Sequence, residues 1–208
     1  MTKTRLFRLA FAIVPHLPRR VVQYFAIIIG HLLWLFLPNV RQTVSENLAH
    51  VPSLAEQPEV LRATTRQCFV ELLLNYVDLF SYPDISNVDF VTSFPLKTEN
   101  YVRQALTEGI GCIAVSLHLS SFDYSGYRFR TLVSGEVVVP AEELQQPDLF
   151  QLINDHRNRT GLSFVPVAQH ESMRKMITTL KNGGTVMVAV DRDVLHTGAT
   201  IDFFGQPG

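Results

Sequence analysis

A chain of 208 residues with 47% hydrophobic and 18% charged residues holds material for one sizeable core and is poorer in charge than an ordinary soluble domain. Its formal net charge of −1 argues, on global charge alone, against the counterion-releasing surface that nucleic-acid binding draws on. The charge is uneven: Lys3, Arg5, Arg8, Arg19, Arg20 and Arg41 precede residue 42 with no acid among them, a basic and apolar start suited to anionic lipid. Two cysteines, Cys68 and Cys112, lack metal-ligand spacing and fit a reducing compartment, with Cys112 expected as a buried free thiol.

In chain order, residues 5–14 form an amphipathic stretch. Residues 21–37 (VVQYFAIIIGHLLWLFL) then run without a charge. As a helix this run would measure roughly 25 Å, slightly short of a hydrocarbon core of about 30 Å. Gln23 and His31 weaken it as a plain span, while Trp34 at one end and Arg19 and Arg20 at the other are suitable interfacial anchors. Late placement and the lack of a small-residue cleavage site argue against a signal peptide. A buried core helix remains open, beside a membrane-embedded or interfacial one.

Pro38-Asn39 closes this run, and residues 40–50 read as a short helix. Residues 61–80 have helical spacing, with Leu61, Phe69, Leu72, Leu73, Tyr76 and Phe80 on an apolar face ended by Tyr82-Pro83-Asp84. Residues 98–108 form another helix stopped by Gly109. The pattern then changes to short apolar strands, expected at 112–117, 136–140, 163–167 and 185–190, with helices at 148–157 and 171–181. This alternation predicts an α/β domain with a mostly parallel sheet.

His118 lies just past the first strand, and Asp123 follows five residues later, with Ser120 or Ser121 able to cap a helix between them. A turn could return the carboxylate to the imidazole. A neutral His takes a proton from an alcohol, and a carboxylate partner fixes its tautomer and stabilises the imidazolium. The spacing alone is weak, since a histidine at a strand end is ordinarily structural. Asp191-Arg192-Asp193 follows the fourth strand, where polar residues of an open α/β sheet line the ligand crevice, so His118 and this acidic pair would share one edge. A solvated loop is the alternative. Arg157 and Arg159 suit a phosphate, a thioester carrier or a developing oxyanion, or merely complement a helix C-terminus. Phe203-Phe204 before Gly205 offer core packing or an acyl-chain floor. His16, His31, His50, His156, His170 and His196 show no convergent spacing, so no metal is expected.

In this order the residues resemble the bacterial lipid A biosynthesis acyltransferase family. His118-Leu119-Ser120-Ser121-Phe122-Asp123 is similar to its His-x4-Asp/Glu motif, often HxGNWE. Arg41, Val44, Asn47 and Leu48 fit its Arg-x-x-Val-x-x-Asn-Leu element. Arg157 and Arg159 fit Arg-x-Arg, and Asp191, Asp193 and Phe203-Phe204-Gly205 fit the later acidic and aromatic elements. Arg192 stands where relatives carry Gln or His. The resemblance runs over nearly all of the chain and implies a glycerol-3-phosphate acyltransferase-like domain at 41–208, truncated at its C-terminus, behind a membrane-anchoring segment at 1–40. It further implies O-acyl transfer, on the cytoplasmic face of the cytoplasmic membrane, from an acyl carrier protein or coenzyme A thioester to a hydroxyl of a glycolipid such as a lipid A precursor or mannosylated phosphatidylinositol. His118 would be general base and Asp123 its partner. Arg159, or else Arg157, would bind the carrier or oxyanion, and Asp191 and Asp193 would shape the acceptor pocket. Neither a metal nor a bound cofactor is implied. A lipid or thioester hydrolase using the same pair, or a non-catalytic membrane-binding protein, are the competing expectations. Ser121 lacks the Gly-x-Ser-x-Gly elbow of a triad nucleophile.

Overall fold

A computed structural model describes residues 2–81, 91–92, 95–97, 99–119, 122–192, 194 and 198–207. It divides into two compact units, one of residues 1–12 with 82–196 and the other of 13–81 with 197–208. The turn expected at Tyr82-Pro83-Asp84 lies outside the described residues.

The chain opens with α1 (Lys3–Ile13) and a 3₁₀ turn at Val14–His16, followed by α2 (Arg19–Phe36), α3 (Pro38–Leu48), α4 (Pro52–Ala55) and α5 (Pro58–Phe80). Proline occupies the first position of α3, α4 and α5, where its fixed φ helps and its missing N–H costs nothing. The brief α4 was not legible in the apolar pattern, because four residues are barely a turn.

Helices α2 and α5 pack antiparallel. Arg19 at the start of α2 donates to buried Asp78 near the end of α5 at 2.6 Å, whereas Trp34 near the end of α2 meets Arg62 near the start of α5. Only Ala26 and Gly30 of α2 are buried, one turn apart, and a Cβ on Gly30 would stand 2.8 Å from the Val70 Cα. This small-residue seam lets the two backbones approach. Much of the remaining surface of α2 is bare: Tyr24, Phe25, Ile29, Leu32, Leu35 and Phe36 are exposed, and the helix is long and apolar enough to cross a membrane by length and composition.

The other unit holds α6 (Glu99–Thr107), β1 (Cys112–Ser116), α7 (Phe122–Arg130), β2 (Val137–Ala141), α8 (Pro147–Asn158), β3 (Leu162–Pro166), α9 (His170–Lys181) and β4 (Thr185–Ala189). All four strands are parallel, in the order β1-β4-β2-β3, which is the α/β architecture the alternation predicts. Alternation along β2 divides the core. Val137 packs on one face with Tyr127 and Phe129 of α7 and with Leu162, while Val138 packs on the other with Val165, Val186 and, from α9, Met176 and Leu180. Arg128 of α7 is buried and ion-paired with Glu99, tying α6 to α7. Phe11 of α1 packs on His156 of α8 with ring centroids 4.2 Å apart.

The run at 112–117 reads as a buried strand, but β1 is the sheet edge. Ile113 and Val115, in register with Val186 and Val188, are exposed, and Cys112 is half-buried. The cause is the sheet order, which leaves β1 with one neighbour and one covered face. Before β1, Gly111 passes so close to α9 that a Cβ would lie 2.2 Å from the Leu180 carbonyl oxygen and 2.6 Å from its Cα. Backbone cannot yield as a side-chain tip can. Gly111→Ala is therefore expected to lose about 1–3 kcal/mol, read as a lower urea midpoint at unchanged slope.

The last two strands, β5 (Asp202–Phe203) and β6 (Gln206–Pro207), make a hairpin in the unit of α2 to α5, where the sequence suggested only a loop. Phe204 (φ 53°) and Gly205 (φ 75°) form its two-residue turn, with both residues in the left-handed region that a type I′ turn requires. The Asp202 Oδ1 accepts the Gly205 N–H at 2.7 Å, which helps hold Phe204 in a conformation unusual for a bulky residue.

Candidate active site

The site grows out of strand register. Ser116 pairs with Ala189, and the Val190 N–H continues the ladder by donating to the Ser116 carbonyl at 3.1 Å. One step further, His118 and Asp191 emerge side by side at the carboxyl edge of β1 and β4. The His118 backbone N–H donates to Asp191 Oδ2 at 2.9 Å, and its Nδ1 lies 2.9 Å from Asp191 Oδ1. With a proton on Nδ1 to serve that carboxylate, the neutral ring presents Nε2 as a bare base. The side chain is 41% exposed, and Nε2 has no hydrogen-bond partner among the described residues.

Partial burial acts to raise the Asp191 carboxyl. The hydrogen bonds from the His118 backbone and ring, that of its own backbone N–H, and the charge of His118 when protonated together outweigh it, and they hold the group below the usual carboxylate range. A depressed folded value makes this contribution to stability complete above the unfolded value of about 3.9, and lost as pH falls through the lower folded one. Urea unfolding between neutral and strongly acidic pH should therefore fall off less steeply in Asp191→Asn than in the wild type.

Asp123 takes a different partner. It is buried in the first turn of α7, and Arg157 near the end of α8 grips it with two hydrogen bonds, Nε to Oδ1 at 2.8 Å and Nη2 to Oδ2 at 3.0 Å. No hydrogen bond joins His118 to Asp123, so the turn that the five-residue spacing suggested does not return this carboxylate to the imidazole. Helix formation from Phe122 is the reason: it carries Asp123 inward, toward Arg157. Phe122 links the two pairs. Its ring meets the His118 ring edge-on at 5.1 Å, and the Arg157 Cζ lies 5.8 Å from its centroid and 5.1 Å from that of Phe164. Sequence reasoning passed over Phe122. Its signal was an aromatic residue directly before the motif's acid, where relatives carry Trp.

The remaining candidates separate. Arg159 caps α8, is exposed and makes no ion pair among the described residues. Arg192 pairs with Glu142 beyond β2 at 2.9 Å, both at the carboxyl edge. Asp193 lies outside the described residues, as do Ser120 and Ser121. Phe203 and Phe204 are exposed on the hairpin of the other unit, their rings 4.7 Å apart and edge-on. The described residues contain no group of three His, Cys, Asp or Glu placed to hold a metal ion.

A histidine whose Nδ1 is held by a carboxylate at the edge of a parallel sheet can take a proton through its other nitrogen, and comparison with known proteins supplies the class. The profile of the family described as bacterial lipid A biosynthesis acyltransferase matches residues 4–208. The chain belongs to that family. Two curated relatives, phosphatidylinositol mannoside acyltransferases of Mycobacterium tuberculosis strains CDC 1551 / Oshkosh and ATCC 25618 / H37Rv, are each 27% identical over 110 residues. Each match covers 52% of this chain and 34% of the relative, so the chain spans about a third of the length of the curated relatives it matches. Within the lipid A acyltransferase family, the His-x4-Asp run is here a composite. Its histidine is bonded to a carboxylate just past β4, and its aspartate to an arginine from α8.

Proposed function

We propose that this protein is a membrane-associated O-acyltransferase that moves a fatty acyl group from a thioester to a hydroxyl of a glycolipid. Its fold on this reading is the glycerol-3-phosphate acyltransferase-like domain over 41–208, with 1–40 as the anchoring segment. The observation that carries the reading is the His118–Asp191 pair, which engages Nδ1 and leaves Nε2 as the base at the sheet edge of a lipid A acyltransferase family member.

In the proposed reaction the acceptor hydroxyl gives its proton to His118 Nε2 as its oxygen bonds to the thioester carbonyl carbon. The carbonyl pair moves onto oxygen. It returns as the C–S bond breaks, and the leaving thiolate takes the proton from the imidazolium. Asp191 keeps Nδ1 protonated and steadies the cation. Asp123 fixes Arg157, whose Nη1 is not used in that grip and is available to the developing oxyanion. Arg159, exposed and unpaired with any described carboxylate, suits the phosphate of an acyl carrier protein or coenzyme A. Asp193 and the Phe203-Phe204 pair are assigned to the acceptor and the acyl chain. The basic α1 and the bare α2 support placement on the cytoplasmic face of the cytoplasmic membrane.

The test supplies the purified full chain with an acyl thioester and mannosylated phosphatidylinositol or a lipid A precursor, and follows acylated glycolipid by mass spectrometry. Acylated product supports the reading. Fatty acid release that is indifferent to the acceptor would make the protein a hydrolase and overturn it.

A further inference from the structure

A second cluster of unused chemistry lies in the unit of α2 to α5. Trp34, in the last turn of α2, has two guanidinium carbons near its ring, that of Arg41 at 5.2 Å and that of Arg62 at 5.7 Å from the centroid. A cavity of about 650 Å³ opens there, lined by Trp34, Arg41, Arg62, Asn39 and Ser45 among others. A neighbouring hollow of about 210 Å³ shares Trp34 and Arg62 and adds Arg66.

The local structure leaves most of this charge without a use. Arg41 donates to the Trp34 carbonyl at 3.1 Å, an orphan acceptor of the α2 C-terminus, so one of its N–H groups serves the fold. Arg62 and Arg66 serve nothing comparable. They lie one turn apart on α5, an arrangement that repels, and neither they nor Arg41 form an ion pair with any described carboxylate. Glu46 and Glu59 also line the hollows, but Glu46 is engaged by Gln42 at 2.8 Å. The Trp34 Nε1 is buried with no hydrogen-bond partner among the described residues. Three guanidinium groups around a cavity call for an acceptor-rich anion.

The surroundings say what carries that anion. Leu35, Phe36 and Leu37, which follow Trp34 directly, are all exposed. An apolar rim against a cationic pocket matches an amphiphile rather than a free ion, and tryptophan beside arginine is the composition of a bilayer interface. We infer that Arg41, Arg62 and Arg66 around Trp34 form a binding site for the phosphate of an anionic phospholipid headgroup, separate from the His118 chemistry.

Trp34 is the chain's single tryptophan, so its fluorescence reports on this site directly. The full chain in uncharged detergent would be titrated with dihexanoyl-phosphatidic acid, with dihexanoylglycerol as the phosphate-free control and inorganic phosphate as the free-ion arm. The expected result is a saturable change in emission with phosphatidic acid, absent with dihexanoylglycerol and far weaker with inorganic phosphate. Arg62→Gln and Arg66→Gln, both exposed positions, should each weaken it by about 10-fold with the far-ultraviolet circular dichroism unchanged, the loss of one charge-assisted contact. Arg174→Gln with Lys181→Gln, both exposed on α9, should leave it as in the wild type. An equal response to dihexanoylglycerol, or undiminished binding in both α5 variants, would overturn the site. Inorganic phosphate binding as tightly as the lipid would overturn its assignment to a headgroup.

Discussion

His118→Ala is expected to reduce acyl transfer by about 10²- to 10⁴-fold, the range that one positioned general base contributes, while the fold survives because the ring is substantially exposed. The readout is acylated glycolipid per unit time, set beside the thermal unfolding curve of the same preparation. Turnover like the wild type in a folded His118→Ala protein would sink the assignment. Asp191→Asn extends the test. Its amide can no longer receive the Nδ1 proton as an anion does, and a loss of about 10- to 100-fold is expected, typical of a partner that orients a histidine. Asp191 is partly exposed whereas Asp123 is buried. Asp191→Asn should therefore lower the rate with little change in melting temperature, and Asp123→Asn should lower both.

The second large effect concerns Arg157. Asp123 is buried and receives its only described hydrogen bonds from this guanidinium, which is itself mostly buried between Phe122 and Phe164. Arg157→Ala strands a carboxylate away from water, and the cost of such a broken pair is about 3–5 kcal/mol. Urea unfolding measures it. The double variant Asp123→Leu with Arg157→Met keeps volume without charge and should recover most of that loss, since a buried ion pair and its apolar replacement are often close in free energy. A double variant as unstable as Arg157→Ala alone would mean that packing of the arginine on the two rings, rather than the pair, is what matters. Either way the experiment states what the aspartate of the His-x4-Asp run does for the fold.

Helices and strands were legible because their signals are local. The uncharged run before Pro38, the glycine pairs before β1 and β4, and the apolar face of α5 each follow from a few neighbouring residues, and the elements expected from them fall within a few residues of their observed bounds, whereas α4 and the terminal hairpin had no such signal. The partners at the site were not legible, because they depend on strand order. Nothing in the sequence says that β4 inserts between β1 and β2, yet that insertion is what sets Asp191 against His118. Spacing along the chain favoured Asp123 for the same place. Likewise, Arg157 and Arg159 differ by two positions in one short run, and only the end of α8 separates a buried grip on Asp123 from an exposed, uncommitted charge.

The seam between α2 and α5 bears on how the chain meets a bilayer. A lone spanning helix needs hydrocarbon on every side, but Ala26 and Gly30 are spent on α5, whose length carries Glu59, Arg62, Arg66, Glu71 and Asp78. Dragging that companion into the hydrocarbon would cost about 2.5–3.5 kcal/mol for each charged side chain near the middle. Lying flat costs far less: Tyr24, Phe25, Ile29, Leu32 and Phe36 can sink among the acyl chains while α5 stays on the water side. On the proposed membrane-associated reading, the apolar helix would then lie along one leaflet as a keel rather than cross it as a mast.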